Sequence, residues 1–234
     1  MTDTTLSSAS PAKVLAWDLP TRLFKWALVV CIAVAWASDK LGGGNPTVHV
    51  TNGRIVLTLV VFRILWGFVG GSTARFSSFL ASPGTSIAYG LALLKNREGH
   101  YLGHNPLGGW MVIVLVALAG AMAVTGLFNA DVDRMIIEGP LAKTVSDATI
   151  TLAHKLHHQI FDLLMICVVL HVAAVVFHAV VKKERLVPAM VTGKKPAGSY
   201  VDARAATPGA IGLALACLVA ATAIVWLGIR AAGG

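Results

Sequence analysis

Charge is scarce in this chain: only 13% of its 234 residues are Asp, Glu, Lys or Arg, while 56% are apolar. No water-facing surface can be built from that mixture, which excludes a soluble globular domain and marks an integral membrane protein. Cysteine is nearly absent. The three present, Cys31, Cys167 and Cys217, fall within apolar runs and outside any Cys-x-x-Cys-His motif, so neither a disulfide framework nor thioether attachment of a cofactor is implied. Met1 to Ser10 lack a signal-peptide pattern, and the first span is expected to stay attached. There is no internal repeat and no pair of interrupted spans, features that would mark a secondary transporter.

What the chain has in quantity is long apolar runs, at about Leu23–Ala37, Val50–Gly70, Leu107–Phe128, Ile160–Val181 and Ala210–Ile229. Each suits a bilayer core of about 30 Å, giving five transmembrane helices. Trp17-Asp18-Leu19-Pro20-Thr21 before the first run resembles an interfacial aromatic anchor followed by a capped helix start. With the N-terminus in the cytoplasm, most Lys and Arg, among them Arg75, Lys95, Arg97, Lys182, Lys183 and Arg185, fall on that side. The positive-inside rule then puts the C-terminus in the periplasm. The net charge of +8 is thus topology, and nucleic acid is not an expected partner. Ile87, Leu91 and Leu94, following Pro83-Gly84, predict a short interfacial helix. In the last span Gly212, Ala216 and Ala220 offer a small-residue face for helix packing.

Ionisable residues inside spans point to function. His157 and His171 are fourteen residues apart on one helix, a rise of about 21 Å and close to a whole number of turns, so they share a face at two depths. Topology supplies a partner at each depth. His49, at the head of the second span, is level with His157; Lys25, near the start of the first, is level with His171. Two pairs of nitrogens from different helices suit two metal centres, each a flat macrocycle held between axial ligands.

The stretches "WDLPTRLFKW", "HVTNGRIVLTLVVFRILWGFVG", "RFSSFL", "YLGHNPLGG", "LHHQIFDLLMICVVLHVAAVVFH" and "MVTGKK" are similar, in that order, to the bacterial cytochrome b561 and Ni,Fe-hydrogenase cytochrome b family. The likeness runs from about Val14 to Lys195. It implies an all-α fold: an integral membrane four-helix haem-binding bundle over 14–195, preceded by a disordered cytoplasmic stretch at 1–13. A linker and an extra C-terminal transmembrane helix follow at 196–234, outside the likeness. It implies two non-covalent b haems and electron relay between membrane quinone or quinol and a partner redox protein, as a carrier or as the membrane subunit of an oxidoreductase. The family's ligand histidines match His49, His157 and His171. Where the family has a first-helix histidine, this chain has Lys25.

An amine ligates iron only when neutral, which costs a lysine about 4–5 kcal/mol at pH 7 in water, and removal from water works against that cost. Three readings of Lys25 follow: an axial ligand of the inner haem, a snorkelling or propionate-pairing cation, and the relic of a lost site. With Lys25 as ligand two haems are expected, without it one. Arg63, fourteen residues after His49, is placed to pair with an inner haem propionate or a buried carboxylate, or else to make a structural pairing at the helix end, and Arg54 has the same choices at the outer level. His178, seven residues after His171 on the same face and nearer the cytoplasm, is the second candidate ligand at the inner level, or otherwise a propionate or quinone contact. His154 and His158 flank His157 as surface polar residues or a surface metal site. His100 and His104 read as belonging to a helix entrance. Asp131, Asp133, Glu138 and Asp147 make the loop after the third span mildly acidic, suited to docking a basic periplasmic c-type cytochrome. The lipid bilayer of the bacterial inner membrane is the surrounding partner, and a homodimer is compatible with the pattern. Two rival functions stand beside electron relay: a mono-haem sensor or reductase with an open inner site, and a histidine-based metal transporter.

Overall fold

The computed structural model describes residues 12–40, 46–130 and 138–234. The Asp131–Arg134 part of the acidic loop and the expected disordered N-terminus lie outside these, apart from Ala12 and Lys13, the latter opening a strand. The elements run β1 (Lys13–Leu15), α1 (Leu19–Lys40), α2 (Pro46–Val69), α3 (Phe76–Phe79), α4 (Pro83–Leu94), α5 (Pro106–Phe128), α6 (Asp147–Val180), α7 (Leu186–Thr192), β2 (Lys194–Pro196) and α8 (Ile211–Ala231). Five of them, α1, α2, α5, α6 and α8, are long and apolar enough to cross a membrane. The fold is an all-α membrane bundle.

Local chemistry sets the boundaries. Asp18 Oδ1 accepts from the Thr21 N–H at 3.0 Å and caps α1; Asn105 caps α5, accepting from Gly108 N–H at 2.7 Å, with Pro106 in the first turn. Ser82 and Ser146 cap α4 and α6 in the same way, each satisfying a backbone donor that the helix itself leaves unpaired. With 34 residues, α6 is about 51 Å long. It is therefore longer than a bilayer core of about 30 Å needs, and His157 lies ten residues after its first residue. The predicted interfacial helix is α4, and Ile87, Leu91 and Leu94 form its exposed face.

The core centres on α2, which packs on α1, α5 and α8, while α6 packs on α5. Val56, Val60, Phe62 and Trp66 of α2 meet Phe24 and Cys31 of α1, Val116, Ala119 and Ala123 of α5, and Ala214, Cys217 and Ala221 of α8. Asn52 Nδ2 donates to the Cys31 carbonyl at 2.9 Å, tying α2 to α1. The buried stripe of α8 is Ala214, Cys217 and Ala221, whereas Gly212, Ala216 and Ala220, the expected packing face, are exposed. Both stripes are small enough for close approach. The buried one continues into Val225 and Ile229, which pack with Leu141 and give that face its apolar bulk.

A cap closes the Lys25 end. Strand β1 pairs antiparallel with β2, Val14 opposite Lys195, and the N–H groups of Ala16 and Trp17 both donate to the Gly193 carbonyl, at 2.8 and 3.0 Å. Gly193 has φ +79°, and a β-carbon there would stand 2.7 Å from the Trp17 carbonyl oxygen, so this turn needs glycine. Asp202 accepts from the N–H groups of Leu102 and Gly103, holding the 95–105 loop against the cap. Trp17 is consequently buried, 4% exposed, and is a wall of the interior where an interfacial anchor was expected.

Candidate functional site

The bundle brings the sequence-predicted residues together at two levels. At the first, the imidazoles of His49 (α2) and His157 (α6) face each other with ring centres 6.4 Å apart and planes at 68°. No extensive packing of α2 on α6 accompanies that approach among the described residues, so the rings meet across a gap between helices. Two metal–nitrogen bonds of about 2 Å each leave little more of that separation than the two ring radii, so the spacing suits one metal ion between them. Behind each ring stands a hydroxyl: Ser38 Oγ of α1 is 3.0 Å from His49 Nδ1, and Thr125 Oγ1 of α5 is 3.0 Å from His157 Nδ1. The Met122 carbonyl is a further hydrogen-bond partner of His157. Gly126 makes room for the second ring, since a β-carbon there would stand 3.2 Å from His157 Cε1.

Lys25 and Ser38 are thirteen residues apart on α1, so the second level lies about 20 Å away along the bundle. Its members are Lys25, Arg63, His171, His104 and Lys195. Lys25 Nζ is buried without a hydrogen-bond partner and sits 3.6 Å above the Trp17 ring centre, within electrostatic reach of His171, Arg63 and Lys195. Arg63 is 2% exposed, its Nη1 is unpartnered, and its guanidinium lies 4.9 Å from the Phe76 ring centre and 5.7 Å from that of Phe79. Lys195 donates to the Tyr101 carbonyl at 2.8 Å. Asp18 is the carboxylate that acts on both Lys25 and Arg63, and it is already engaged in capping α1. Positive charge is in excess here, and its unpartnered donors suit carboxylates of a bound group.

Sequence reasoning missed His104 as a member of this level. Its ring packs 4.6 Å from Trp17 and 4.9 Å from Phe79, and its Nδ1 is buried and unpartnered. Burial first, then the charges of Lys25, Arg63 and Lys195, hold its pKa well below the ordinary histidine range, so the imidazole is neutral. The signal available in sequence was only its place in "YLGHNPLGG".

Other predicted residues lie elsewhere. Buried His178 is hydrogen-bonded through Nδ1 to Glu184 Oε2 at 3.1 Å, and Glu184 Oε1 meets His100 Nδ1 at 2.7 Å. Hydrogen bonds from His178 and His100 pull the Glu184 carboxyl down to about 2, against the opposing effect of burial. Arg54 turns toward α8, its guanidinium 5.6 Å from the Trp226 ring centre, in a cleft of about 370 Å³ that Arg230 also lines. His154 Nδ1 is 3.0 Å from Asn129 Oδ1, and its ring is 4.6 Å from that of His158. Among the described residues no three His, Cys, Asp or Glu side chains converge as a metal site, so the structure lends the transporter reading no ligand cluster.

Across residues 16–193 the sequence matches the family model of prokaryotic cytochrome b561. No curated protein matches the chain. Helix α8 lies beyond the matched region.

Proposed function

The chain belongs to the prokaryotic cytochrome b561 family, membrane b-type cytochromes of electron transfer that bind haem b, and from that premise we propose that it carries two haems and relays electrons across the membrane. In this reading His49 and His157 hold the outer haem, and His171 and Lys25 the inner one. Electrons pass between the quinone pool and a partner redox protein such as a c-type cytochrome, with the N-terminus cytoplasmic and the C-terminus periplasmic. The observation that carries the proposal is the facing pair His49 and His157, each with Nδ1 already engaged by a hydroxyl, which makes Nε2 the nitrogen available to a metal. At the inner level the unpartnered Lys25 Nζ and Arg63 Nη1 fit a group that brings both an iron and carboxylates.

Bound haem b supplies a one-electron iron couple. The chain's own residues fix depth, exclude water and set electrostatics. Arg63 and neutral His104 offer N–H donors to propionates, while Phe76, Phe79 and Trp17 wall the inner level from water. A neutral Lys25 amine is a hard, basic donor that favours the ferric state, so the inner potential lies below the outer one.

Two measurements on the purified protein test this. Potentiometric titration is expected to give two waves, and a short-chain quinol is expected to reduce the protein. Lys25→Leu should turn the inner haem from low-spin to high-spin and open it to carbon monoxide; an unchanged low-spin spectrum at two haems per chain would remove Lys25 from the ligand set. A second reading has one observation in its favour: Lys25 Nζ over the Trp17 ring is the posture of a cation. Carbon monoxide binding by the wild-type protein would establish that open-site reading instead.

A further inference from the structure

The two hydroxyls behind the outer pair are themselves constrained. Each has one hydrogen and two lone pairs to offer. Ser38 Oγ donates to the Ala35 carbonyl at 2.9 Å, and Thr125 Oγ1 has the Ala121 carbonyl at 2.8 Å and the Met122 carbonyl at 3.0 Å. With those hydrogens given to the helix backbone, only oxygen lone pairs face the imidazoles. The nitrogens 3.0 Å away are then the donors, with the Met122 carbonyl a second acceptor for His157, and each histidine carries its proton on Nδ1.

We infer that Ser38 and Thr125 are positioning residues that lock His49 and His157 in the Nδ1–H tautomer, presenting two Nε2 lone pairs to the outer iron and tuning its potential. The inference rests on the outer-haem reading above. Each ligand-bearing helix has a supporting neighbour: α1 holds the ligand of α2, and α5 that of α6, so all four helices of the bundle build this centre. Both acceptors are neutral hydroxyls, which orient the ring and raise its basicity less than a carboxylate does. Gly126 lets the His157 ring lie flush against α5, where Thr125 can reach it. In the other tautomer the proton would occupy Nε2, and that atom could not bind iron.

The test is redox titration and haem dissociation of the full-length protein as wild type, Thr125→Val, Thr125→Ser and Ser38→Ala, with the outer wave identified as the one lost in His49→Ala. Without the acceptor the imidazole is less basic and the ferric state less favoured, so the outer wave of Thr125→Val and Ser38→Ala should move to higher potential. A tenfold loss of ferric preference reads as about 59 mV. Haem should leave these two variants roughly 10–100-fold more readily, while Thr125→Ser keeps wild-type behaviour and the inner wave stays in place throughout. An unchanged outer wave and unchanged retention in Thr125→Val and Ser38→Ala overturn the inference while leaving the haem reading intact. Equal shifts in Thr125→Val and Thr125→Ser overturn it too, because the hydroxyl would then not be the cause. A wild-type protein with no outer wave overturns the haem reading itself. Since Ser38 and Thr125 stand on different helices, either variant gives a result if the other fails to fold.

Discussion

Replacing Arg63 by methionine should change stability in opposite directions with and without haem. Arg63 is a guanidinium 2% exposed whose Nη1 finds no partner among the protein's own groups. An unmet buried donor costs about 1–3 kcal/mol, and apolar replacement of imperfectly paired buried charge is often stabilising by a similar amount. Against this stands the loss of the cation–π contacts with Phe76 and Phe79, about 1 kcal/mol. Arg63→Met should therefore stabilise the haem-free protein by about 1–2 kcal/mol, a rise of about 2–8 °C in Tm for a chain of this size. In the loaded protein, with Arg63 paired to a haem propionate as proposed, the same change strips that carboxylate of its partner, a loss of about 3–5 kcal/mol, so haem affinity should fall at least a hundredfold. Thermal unfolding in detergent of protein made under haem starvation and under haem supply, together with haem retention, reads both signs. A change of the same sign in both states would refute the assignment of Arg63 to a haem carboxylate.

Three further outcomes follow from the geometry. Glu184 is held at about 2 against an ordinary 4.5; a depressed carboxylate pKa contributes stability that is complete above about 4.5 and lost as pH falls toward 2, and solvent screening at this partly exposed site reduces it to about 1–2 kcal/mol. Glu184→Gln should lower Tm at neutral pH and leave it unchanged near pH 2, which flattens the acid limb of a Tm-against-pH curve. Ala221→Leu should overpack the α2–α8 contact, costing about 1–3 kcal/mol, whereas Ala220→Leu on the exposed face should leave Tm unchanged; equal effects would contradict the packing face. Gly193→Ala, at φ +79° and with 2.7 Å of clearance to the Trp17 carbonyl, should destabilise by about 1–3 kcal/mol and raise tryptophan accessibility to a soluble quencher.

Much of the site could be read from spacing, because transmembrane helices are regular and a bilayer fixes depth. Fourteen residues between His157 and His171 become two levels, and the alternating direction of the spans pairs His49 with one and Lys25 with the other. His49 facing His157 is a consequence of that arithmetic. What escaped it depends on contacts distant in sequence. His104 lies in a loop with no periodicity to give it a direction, and its ring is packed by Phe79 and by Trp17, which follows a strand paired with one about 180 residues away. Trp17 looked like a belt residue for the same reason. Arg54 could face a haem or a neighbouring helix, and α8, which lies beyond the family's region, decided for the latter. The face of α8 itself was ambiguous because two stripes of small residues are nearly interchangeable until Val225 and Ile229 are seen to extend one of them.

The most direct test is the haem-to-protein ratio of the purified membrane protein, from pyridine haemochrome absorbance against quantitative amino-acid analysis. Two haems per chain are predicted, one at each level and the inner one held despite the lysine in the first helix. One haem per chain would contradict the transmembrane relay and leave a cytochrome whose electrons cross only half the membrane.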